Sequence, residues 1–297
     1  GTQNDSVVGE MQPTQALLAS PYLQQVLASF GTVWSRSRLM RISGGGSVPQ
    51  HSDMNYHWFY RVRVHIPVIT RPEVRFHCAD QNVHMAAGEA WIFDNWRLHK
   101  VLNPASEARI HLVADTAGTS EFWRLVARGQ TENFGQQNPD SRLIAFDPAA
   151  RPKLLFERFN VAPLMPPAEV ERLAFDLLAD AAPMDERPES VAALGQFIRT
   201  IVDFCHDWRS LWSLYGDAPD TRGQYEQLLG VTRQKISQLP QLRVVSTGCS
   251  VQAVLDARLL TQLFGGVGSV HREAAEFNVA AAMPGGLAAP DKLPIIE

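Results

Sequence analysis

Short apolar runs separated by turn residues dominate the chain between Val33 and Asp115. The runs are rich in Val, Ile, Phe and Trp, and they are Trp34 to Ser43, Phe59 to Ile69, Val74 to Cys78, Val83 to Met85, Ala90 to Asn95 and Arg109 to Asp115. The segments between them contain the Gly, Pro, Asp and Asn residues that are typical of turns. Many short strands joined by turns predict an all-β sandwich or barrel.

The run Tyr60 to Val68 alternates most clearly between apolar and polar positions. Its apolar positions are Val62, Val64, Ile66 and Val68, and its other positions are Arg61, Arg63, His65 and Pro67. Because successive side chains on a strand point to opposite faces, one face packs into a core and the other is polar. A polar face of this kind either meets solvent or lines the interior of a small ligand-holding barrel. The pattern leaves both interpretations open.

Apolar residues at helical spacing flank this β-rich block. One such segment, Pro13 to Phe30, precedes the block, and the segments that follow it are Glu169 to Ala181, Ser190 to Leu214, Tyr225 to Leu239 and Val251 to Phe264. The second of the later segments carries a long apolar stripe of Phe197, Ile201, Phe204, Trp208 and Leu211. We expect this stripe to pack within the chain or, in part, to form a homodimer. The change of pattern predicts a β domain over residues 1–130 and a helical region over 150–297.

Composition and charge narrow the functional classes. The chain has 297 residues with 45% hydrophobic and 20% charged residues, which is typical of a globular protein. A net charge of -4 argues against nucleic acid as a partner. We find neither an apolar run long enough for a membrane helix nor a signal-peptide pattern, so we expect a cytoplasmic protein without a membrane partner. The cysteines Cys78, Cys205 and Cys249 lie too far apart for a cysteine zinc site.

Histidine is concentrated in the β-rich block, which suggests a place to look for a metal. His51 and Asp53 are separated by one residue, so on an extended strand they present an imidazole and a carboxylate to the same side. A third imidazole from a later strand, His99, would complete a two-His, one-carboxylate set on Fe(II). Such a set leaves three coordination positions open for other ligands.

An arginine ten residues beyond His99 adds a second feature to this site. Ile110 and Leu112 are the apolar positions of their strand, so Arg109 and His111 share its opposite face. A guanidinium pointing into a barrel beside iron would need an anion. A dicarboxylate cosubstrate provides one, because the guanidinium fork can hold a carboxylate through two parallel hydrogen bonds.

Taken in order and spacing, these motifs resemble the aspartyl/asparaginyl β-hydroxylase-like branch of the Fe(II)- and 2-oxoglutarate-dependent oxygenases. Within that branch, the motifs look most like those of the bacterial L-proline cis-4-hydroxylase type. The matching segments are Gly44-Gly-Gly46, His51-Ser-Asp53, Arg63-Val-His-Ile-Pro67, Gly88-Glu-Ala-Trp-Ile-Phe93, His99-Lys-Val-Leu-Asn103 and Arg109-Ile-His-Leu-Val113.

The resemblance implies a fold, a ligand set and a reaction. The fold would be mainly β, a double-stranded β-helix (jelly-roll or cupin) with an N-terminal helix and an α-helical C-terminal region. His51, Asp53 and His99 would hold Fe(II), while Arg109, with His111 beside it, would bind 2-oxoglutarate. With O2, such an enzyme hydroxylates an unactivated C–H of an amino acid or a similar small molecule and releases succinate and CO2.

Several questions stay open from the sequence. Candidate substrate-binding residues are Arg61, Arg63, His65 and Trp91. The same chemistry on a carrier-tethered residue or a larger natural product is an alternative. A non-oxidative metal-binding cupin, such as an isomerase or a binding protein, is a second alternative, and a zinc hydrolase with Glu89 as general base is a third.

Overall fold

The computed structural model describes residues 10–53, 56–131, 141–158 and 162–264. The chain divides into two compact units, one of residues 1–49 with 57–160, and one of residues 50–56 with 161–297. The domain bounds expected from the sequence, 1–130 and 150–297, stay a prediction. Among the described residues, no helix is both long and apolar enough to cross a membrane.

The first unit is rich in short strands. Its helices are α1 (Gln15–Leu18), α2 (Pro21–Ala28) and α3 (Ser120–Ala127), and a short 3-10 helix covers Tyr56–Phe59 at its border. Its strands are β1 (Val33–Trp34), β2 (Ser37–Ile42), β3 (Ser47–His51), β4 (Val62–Ile69), β5 (Arg75–Cys78), β6 (Gln81–Val83), β7 (His99–Leu102), β8 (Arg109–Thr116) and β9 (Leu155–Phe156), and the last two residues of β3 are counted with the second unit. The predicted N-terminal helix is split in two, because proline at position 21 starts α2 as a separate helix.

Two antiparallel sheets form the body of this unit. The strand order is β2-β8-β4 in one sheet and β3-β7-β5-β6 in the other, so the chain crosses between the sheets at each step from β2 to β5 and again from β7 to β8. This order is that of a jelly roll, in which two sheets face each other. The ring of His65 on β4 lies 6.1 Å from the ring of Phe76 on β5, which shows that the two sheets meet across an interior. The predicted double-stranded β-helix is therefore confirmed.

The strand expected over Ala90 to Asn95 is wrong. Only Trp91 pairs there, through one antiparallel bridge to His65 of β4. A turn constrains the segment, because the Glu89 carboxylate accepts hydrogen bonds from the Ala86 amide and the Trp91 indole, both at 2.8 Å. The segment thus takes the place of a fourth strand in the sheet without forming one.

The two faces of the β2-β8-β4 sheet differ in chemistry. One face packs into an apolar core with the N-terminal helices, and this core consists of Leu17, Leu27, Trp34, Val64, Ile66, Leu112, Ala114 and Phe122. The opposite face carries polar side chains, yet Arg63 and His65 are only 7% and 6% exposed. The solvent-facing interpretation of the β4 alternation is therefore wrong, and the polar face lines the interior between the sheets.

The described part of the second unit contains four α-helices and a small sheet. Its elements are α4 (Pro167–Asp180), β10 (Ala181–Pro183), α5 (Pro188–Tyr215), α6 (Arg222–Ser237), β11 (Leu242–Val244) and α7 (Val251–Leu255), with a 3-10 turn at Pro219–Thr221 and a π-helical turn at Asp256–Leu260. Strands β10 and β11 pair antiparallel. The predicted α5 stripe packs within the chain, since Phe197, Ile201, Phe204 and Trp208 are almost fully buried. A homodimer stays a prediction.

Candidate metal centre and cosubstrate pocket

Three potential ligands meet at one edge of the β3-β7-β5-β6 sheet. His51 is the last residue of β3, Asp53 follows two residues later, and His99 is the first residue of the neighbouring strand β7. One ligand atom from each of the three lies within 4.8 Å of the others, and His51 Nε2 is 3.9 Å from an Asp53 oxygen. The three residues predicted as metal ligands are thus brought together in a cluster compact enough for one ion.

The turn before β3 explains how the first two ligands are held in place. Gly44 lies so close to the backbone of Ser106 that a Cβ atom would be 2.0 Å from its carbonyl oxygen. The Asn103 amide, at the end of β7, donates hydrogen bonds to the Ser43 and Glu107 carbonyls at 3.0 and 2.9 Å. These contacts join the β2–β3 turn to the β7–β8 turn, and so they fix β3 beside β7.

A hydrogen bond and two ring contacts orient the imidazole of His99. Its Nδ1–H donates to the Arg97 carbonyl at 2.8 Å, which leaves Nε2 as the nitrogen for a metal. The ring packs against Phe93 with ring centres 4.8 Å apart and against Phe76 at 6.0 Å. A hydrogen bond on the second nitrogen together with apolar neighbours is the usual setting of a metal-binding histidine.

Two further imidazoles lie behind this aromatic layer. The His65 ring is 5.3 Å from the Phe93 ring and 5.9 Å from the His111 ring, measured between centres. Burial, and then the neighbouring Arg63 charge, hold the pKa of His65 well below its ordinary value. Burial, and then the Arg109 charge, lower the pKa of His111 to about 2. Both rings are therefore neutral at physiological pH.

Arg109 lies next to His111 and carries a buried charge. It is 3% exposed, and burial lowers its pKa to about 10, so the guanidinium remains charged at neutral pH. Its Nη2 donates to His111 Nδ1 at 2.6 Å, which places the proton of the neutral His111 ring on Nε2. Within the ranges that the structure describes, no carboxylate forms an ion pair with Arg109.

Several buried nitrogens in this pocket have no hydrogen-bond partner in the part of the chain that the structure describes. Arg109 Nε, His111 Nε2 and both ring nitrogens of His65 are buried and have no hydrogen-bond partner among the described residues. Leaving a buried donor unpaired costs about 1–3 kcal/mol each. An anion rich in acceptor oxygens would satisfy the N–H donors among these groups, namely Arg109 Nε, His111 Nε2 and one nitrogen of the neutral His65 ring, so the pocket fits a carboxylate cosubstrate.

The arginines proposed for substrate binding have internal partners. Arg61 donates two hydrogen bonds to Glu157 at 2.8 and 3.0 Å. Arg63 donates two to Asp115 at 2.8 and 3.2 Å, and its guanidinium lies 4.4 Å from the ring centre of Trp58. Binding a substrate carboxylate would require breaking one of these buried ion pairs. Their role in substrate binding stays a prediction and gains no support from this geometry.

The sequence did not predict a role for Asp115, the buried carboxylate that pairs with Arg63. Its buried carboxylate accepts hydrogen bonds from Arg63, from Arg36 at 2.8 Å and from a His57 ring nitrogen at 3.1 Å. Burial alone would raise the pKa of Asp115, but the Arg63 charge and the His57 hydrogen bond hold it well below its usual range. The alternation in β8 contained the signal, because Asp115 shares the polar face of Arg109 and His111.

Glu89 and Trp91 hold a turn in place. The Trp91 backbone exchanges two hydrogen bonds with that of His65, at 2.7 and 2.8 Å. The Glu89 carboxylate accepts from the Trp91 indole and the Ala86 amide. A carboxylate occupied in this way is a poor general base, which weakens the zinc hydrolase alternative.

Comparison with known families bears directly on this cluster. Residues 7–118 match the aspartyl/asparaginyl beta-hydroxylase family. The matched segment covers 112 of the 297 residues and contains every candidate ligand and pocket residue. The resemblance inferred from the motifs is confirmed over this segment, and it favours a hydroxylase. The finer likeness to proline hydroxylases stays a prediction.

Other comparisons add little. No curated protein matches the chain. Among solved structures, a predicted oxalate decarboxylase from Thermotoga maritima is 18% identical over 30% of this chain and 70% of its own, with a TM-score of 0.23. A cupin 2 conserved barrel domain protein from Salinispora arenicola is 14% identical over 40% of this chain and 82% of its own, with a TM-score of 0.24. TM-scores this low do not support a fold assignment. The fold assignment therefore rests on the strand order.

Proposed function

We propose that this protein is an Fe(II)- and 2-oxoglutarate-dependent dioxygenase that hydroxylates an unactivated C–H of an amino acid or amino-acid-like small molecule. Succinate and CO2 would be the coproducts. One observation carries the proposal: a two-His, one-carboxylate cluster lies at the same interior as Arg109, a buried arginine that has no carboxylate partner among the described residues.

The ligand set is one that iron uses. Two imidazoles and one carboxylate form the usual set for non-haem Fe(II) oxygenases, in which the remaining coordination positions bind reactants. Bound there, Fe(II) would supply the activation of O2 that is coupled to decarboxylation of 2-oxoglutarate. The chain's own residues supply the geometry and the environment of this reaction.

Each pocket residue has a defined part in the proposal. His51, Asp53 and His99 would hold the metal, and the hydrogen bond from His99 to the Arg97 carbonyl keeps Nε2 directed at it. Arg109 would bind the far carboxylate of 2-oxoglutarate, because a guanidinium offers two parallel donors to one carboxylate. The His111 Nε2–H would add a neutral donor.

The aromatic layer would control water. Phe76 and Phe93 pack together with ring centres 4.6 Å apart, and both contact His99. Apolar side chains at this point exclude water from the region between the metal and His65. A dry site limits side reactions and strengthens the electrostatic contacts to the bound anion.

The substrate class rests on the family resemblance. The name of the matched family refers to aspartyl and asparaginyl residues, so an amino acid or an amino-acid-like group is the natural first choice. Carrier-tethered residues and larger natural products remain alternatives with the same chemistry. The non-oxidative cupin is disfavoured because it gives no role to a buried, positively charged pocket with unpaired donors.

Succinate formation tests the proposal. Protein loaded anaerobically with Fe(II) and 2-oxoglutarate is exposed to O2 with free amino acids or carrier-tethered forms, and succinate and hydroxylated product are measured. We expect succinate to depend on Fe(II), O2 and Arg109, with at least one substrate giving equimolar product. His77→Ala is the matched control, since His77 lies on β5 with its side chain on the face opposite Cys78, the residue paired with His99. Metal binding without any succinate formation would contradict the proposal.

A further inference from the structure

The hydroxyl of Thr70 is buried but forms no hydrogen bond with any residue that the structure describes. Thr70 follows directly after the last residue of β4. A buried hydroxyl without a partner is unfavourable and uncommon in proteins, so it calls for an explanation. The course of β4 before Thr70 shows which groups surround this hydroxyl.

An irregularity in the pairing of β4 with β8 decides which way the Thr70 side chain points. Consecutive residues of β8, His111 and Ile110, pair with residues of β4 that are two apart, so β4 contains one extra residue, a β-bulge. The two β4 residues at the bulge, Val68 and Ile69, are both exposed, at 44% and 46%. Since side chains alternate along a strand, Thr70 points to the side opposite Ile69, which is the interior side. Without the extra residue, Ile69 would take that position.

The same register brings Thr70 level with Arg109. The ladder ends one step before this position, and continuing its antiparallel register places Thr70 opposite Arg109. The two chain segments stay close there, because Arg71 Nη2 donates to the Glu107 carboxylate at 3.1 Å. On its other side Arg109 pairs with Ile42, an apolar residue. Thr70 is therefore the polar cross-strand neighbour of Arg109 on the wall of the pocket.

We propose that Thr70 binds the cosubstrate together with Arg109, its hydroxyl donating a hydrogen bond to the far carboxylate of 2-oxoglutarate. The inference rests on the proposed function and adds a residue to the cosubstrate pocket. A carboxylate has about four acceptor positions, so it can accept from a guanidinium and a hydroxyl at the same time. The bulge in β4 is then a feature of the binding site, because it turns a hydroxyl rather than the Ile69 side chain toward the anion.

A hydroxyl that serves only the ligand has opposite effects on binding and on stability. Thr70→Val has a similar shape without the hydroxyl, so 2-oxoglutarate should bind about tenfold more weakly, at the lower end of the loss for a hydrogen bond to a charged group. The ligand-free variant should unfold at the wild-type temperature or above it, because a buried hydroxyl without a partner is replaced by a methyl group. A threonine with a structural role would instead show lower stability and unchanged affinity.

The test uses the full chain and measures binding rather than turnover. Anaerobic calorimetric titration gives the Kd for Fe(II) and, with Fe(II) bound, the Kd for 2-oxoglutarate, and thermal unfolding gives the stability of the ligand-free protein. Thr70→Ser keeps the hydroxyl and should recover most of the affinity. Thr200→Val is the matched control, since the Thr200 hydroxyl donates to the Gln196 carbonyl at 2.9 Å within α5.

The expected result is a Kd for 2-oxoglutarate about tenfold higher in Thr70→Val and near the wild-type value in Thr70→Ser and Thr200→Val, with Fe(II) binding unchanged in all three. Should Thr70→Val fail to fold, Thr70→Ala decides the question, because it also lacks the hydroxyl. Wild-type affinity in the variant without the hydroxyl overturns the inference, and so does an equal loss in Thr70→Ser. Wild-type protein that binds no 2-oxoglutarate would instead contradict the proposed function, so the two failures are distinguishable.

Discussion

Arg109 makes a strong prediction about cosubstrate binding. In the structure its Nη2 is committed to His111 Nδ1 at 2.6 Å, while Nε is buried without an acceptor among the described residues. We expect Arg109→Lys to weaken 2-oxoglutarate binding. A single ammonium group cannot hold His111 and also present two parallel donors to a carboxylate.

The size of the effect follows from the bonds lost. A hydrogen bond to a charged group contributes about 1.5–3 kcal/mol. Losing one raises the Kd for 2-oxoglutarate by about 10- to 150-fold. The same geometry predicts an opposite effect on the ligand-free protein. Arg109→Met should leave it as stable as the wild type or more stable, because a buried charge without a counterion is unfavourable.

Two measurements check this prediction. Calorimetric titration of Fe(II)-loaded protein under anaerobic conditions gives the Kd for 2-oxoglutarate, and thermal unfolding gives the stabilisation by the ligand. Wild-type protein should gain about 2.7 kcal/mol at a ligand concentration of 100 times Kd, and Arg109→Met should lose most of this gain. Arg75→Lys, on an exposed arginine of β5, is the control. A Kd within about twofold of the wild type in Arg109→Lys would refute the role of the guanidinium fork.

Three other predictions concern the metal ligands, the buried ion-pair cluster and the helical core. His51→Ala, Asp53→Ala and His99→Ala should each abolish Fe(II) binding with the fold intact by circular dichroism, and a His99→Ala protein with normal iron content would exclude this assignment. Asp115→Asn should lower the free energy of unfolding at pH 7 by about 3–5 kcal/mol, because Arg63 and Arg36 lose their buried carboxylate; denaturant titration measures this. Since folding lowers the pKa of Asp115, its contribution is complete above the unfolded value of about 3.9 and is lost as pH falls below it. The difference between wild type and Asp115→Asn should therefore shrink in acid, and a constant difference down to pH 2 or so would contradict the ion pairing. Ile201→Glu should destabilise the second unit by on the order of 3–5 kcal/mol, because Ile201 is 1% exposed. Ile198→Glu, at a 38% exposed position of the same helix, should be tolerated, and a folded, soluble Ile201→Glu monomer would instead indicate an interface between subunits.

The alternation in β4 shows how much of the fold a sequence pattern can predict. It predicted a strand with one apolar and one polar face, and both faces are present. Whether the polar face meets solvent or an interior depends on the second sheet, which comes from residues far along the chain. The pairing of β5 with β7 brings Phe76 opposite this face, and no local pattern contains that information.

Some features of the candidate site could be predicted from the sequence and others could not. The spacing of two residues placed the candidate ligands His51 and Asp53 together, although Asp53 lies beyond the end of β3 rather than on a strand, and His99 was added as a histidine from a later strand. The partners of Arg61 and Arg63 were not predictable, since Glu157 lies 96 residues from Arg61 and Asp115 lies 52 residues from Arg63.

A crystal structure of the protein grown anaerobically with Fe(II) and 2-oxoglutarate tests the central claim most directly. We predict an anomalous iron peak bound by His51, Asp53 and His99, with 2-oxoglutarate extending from the iron to a carboxylate held by Arg109 and His111. Iron bound at other residues, or 2-oxoglutarate bound away from Arg109, would contradict the account.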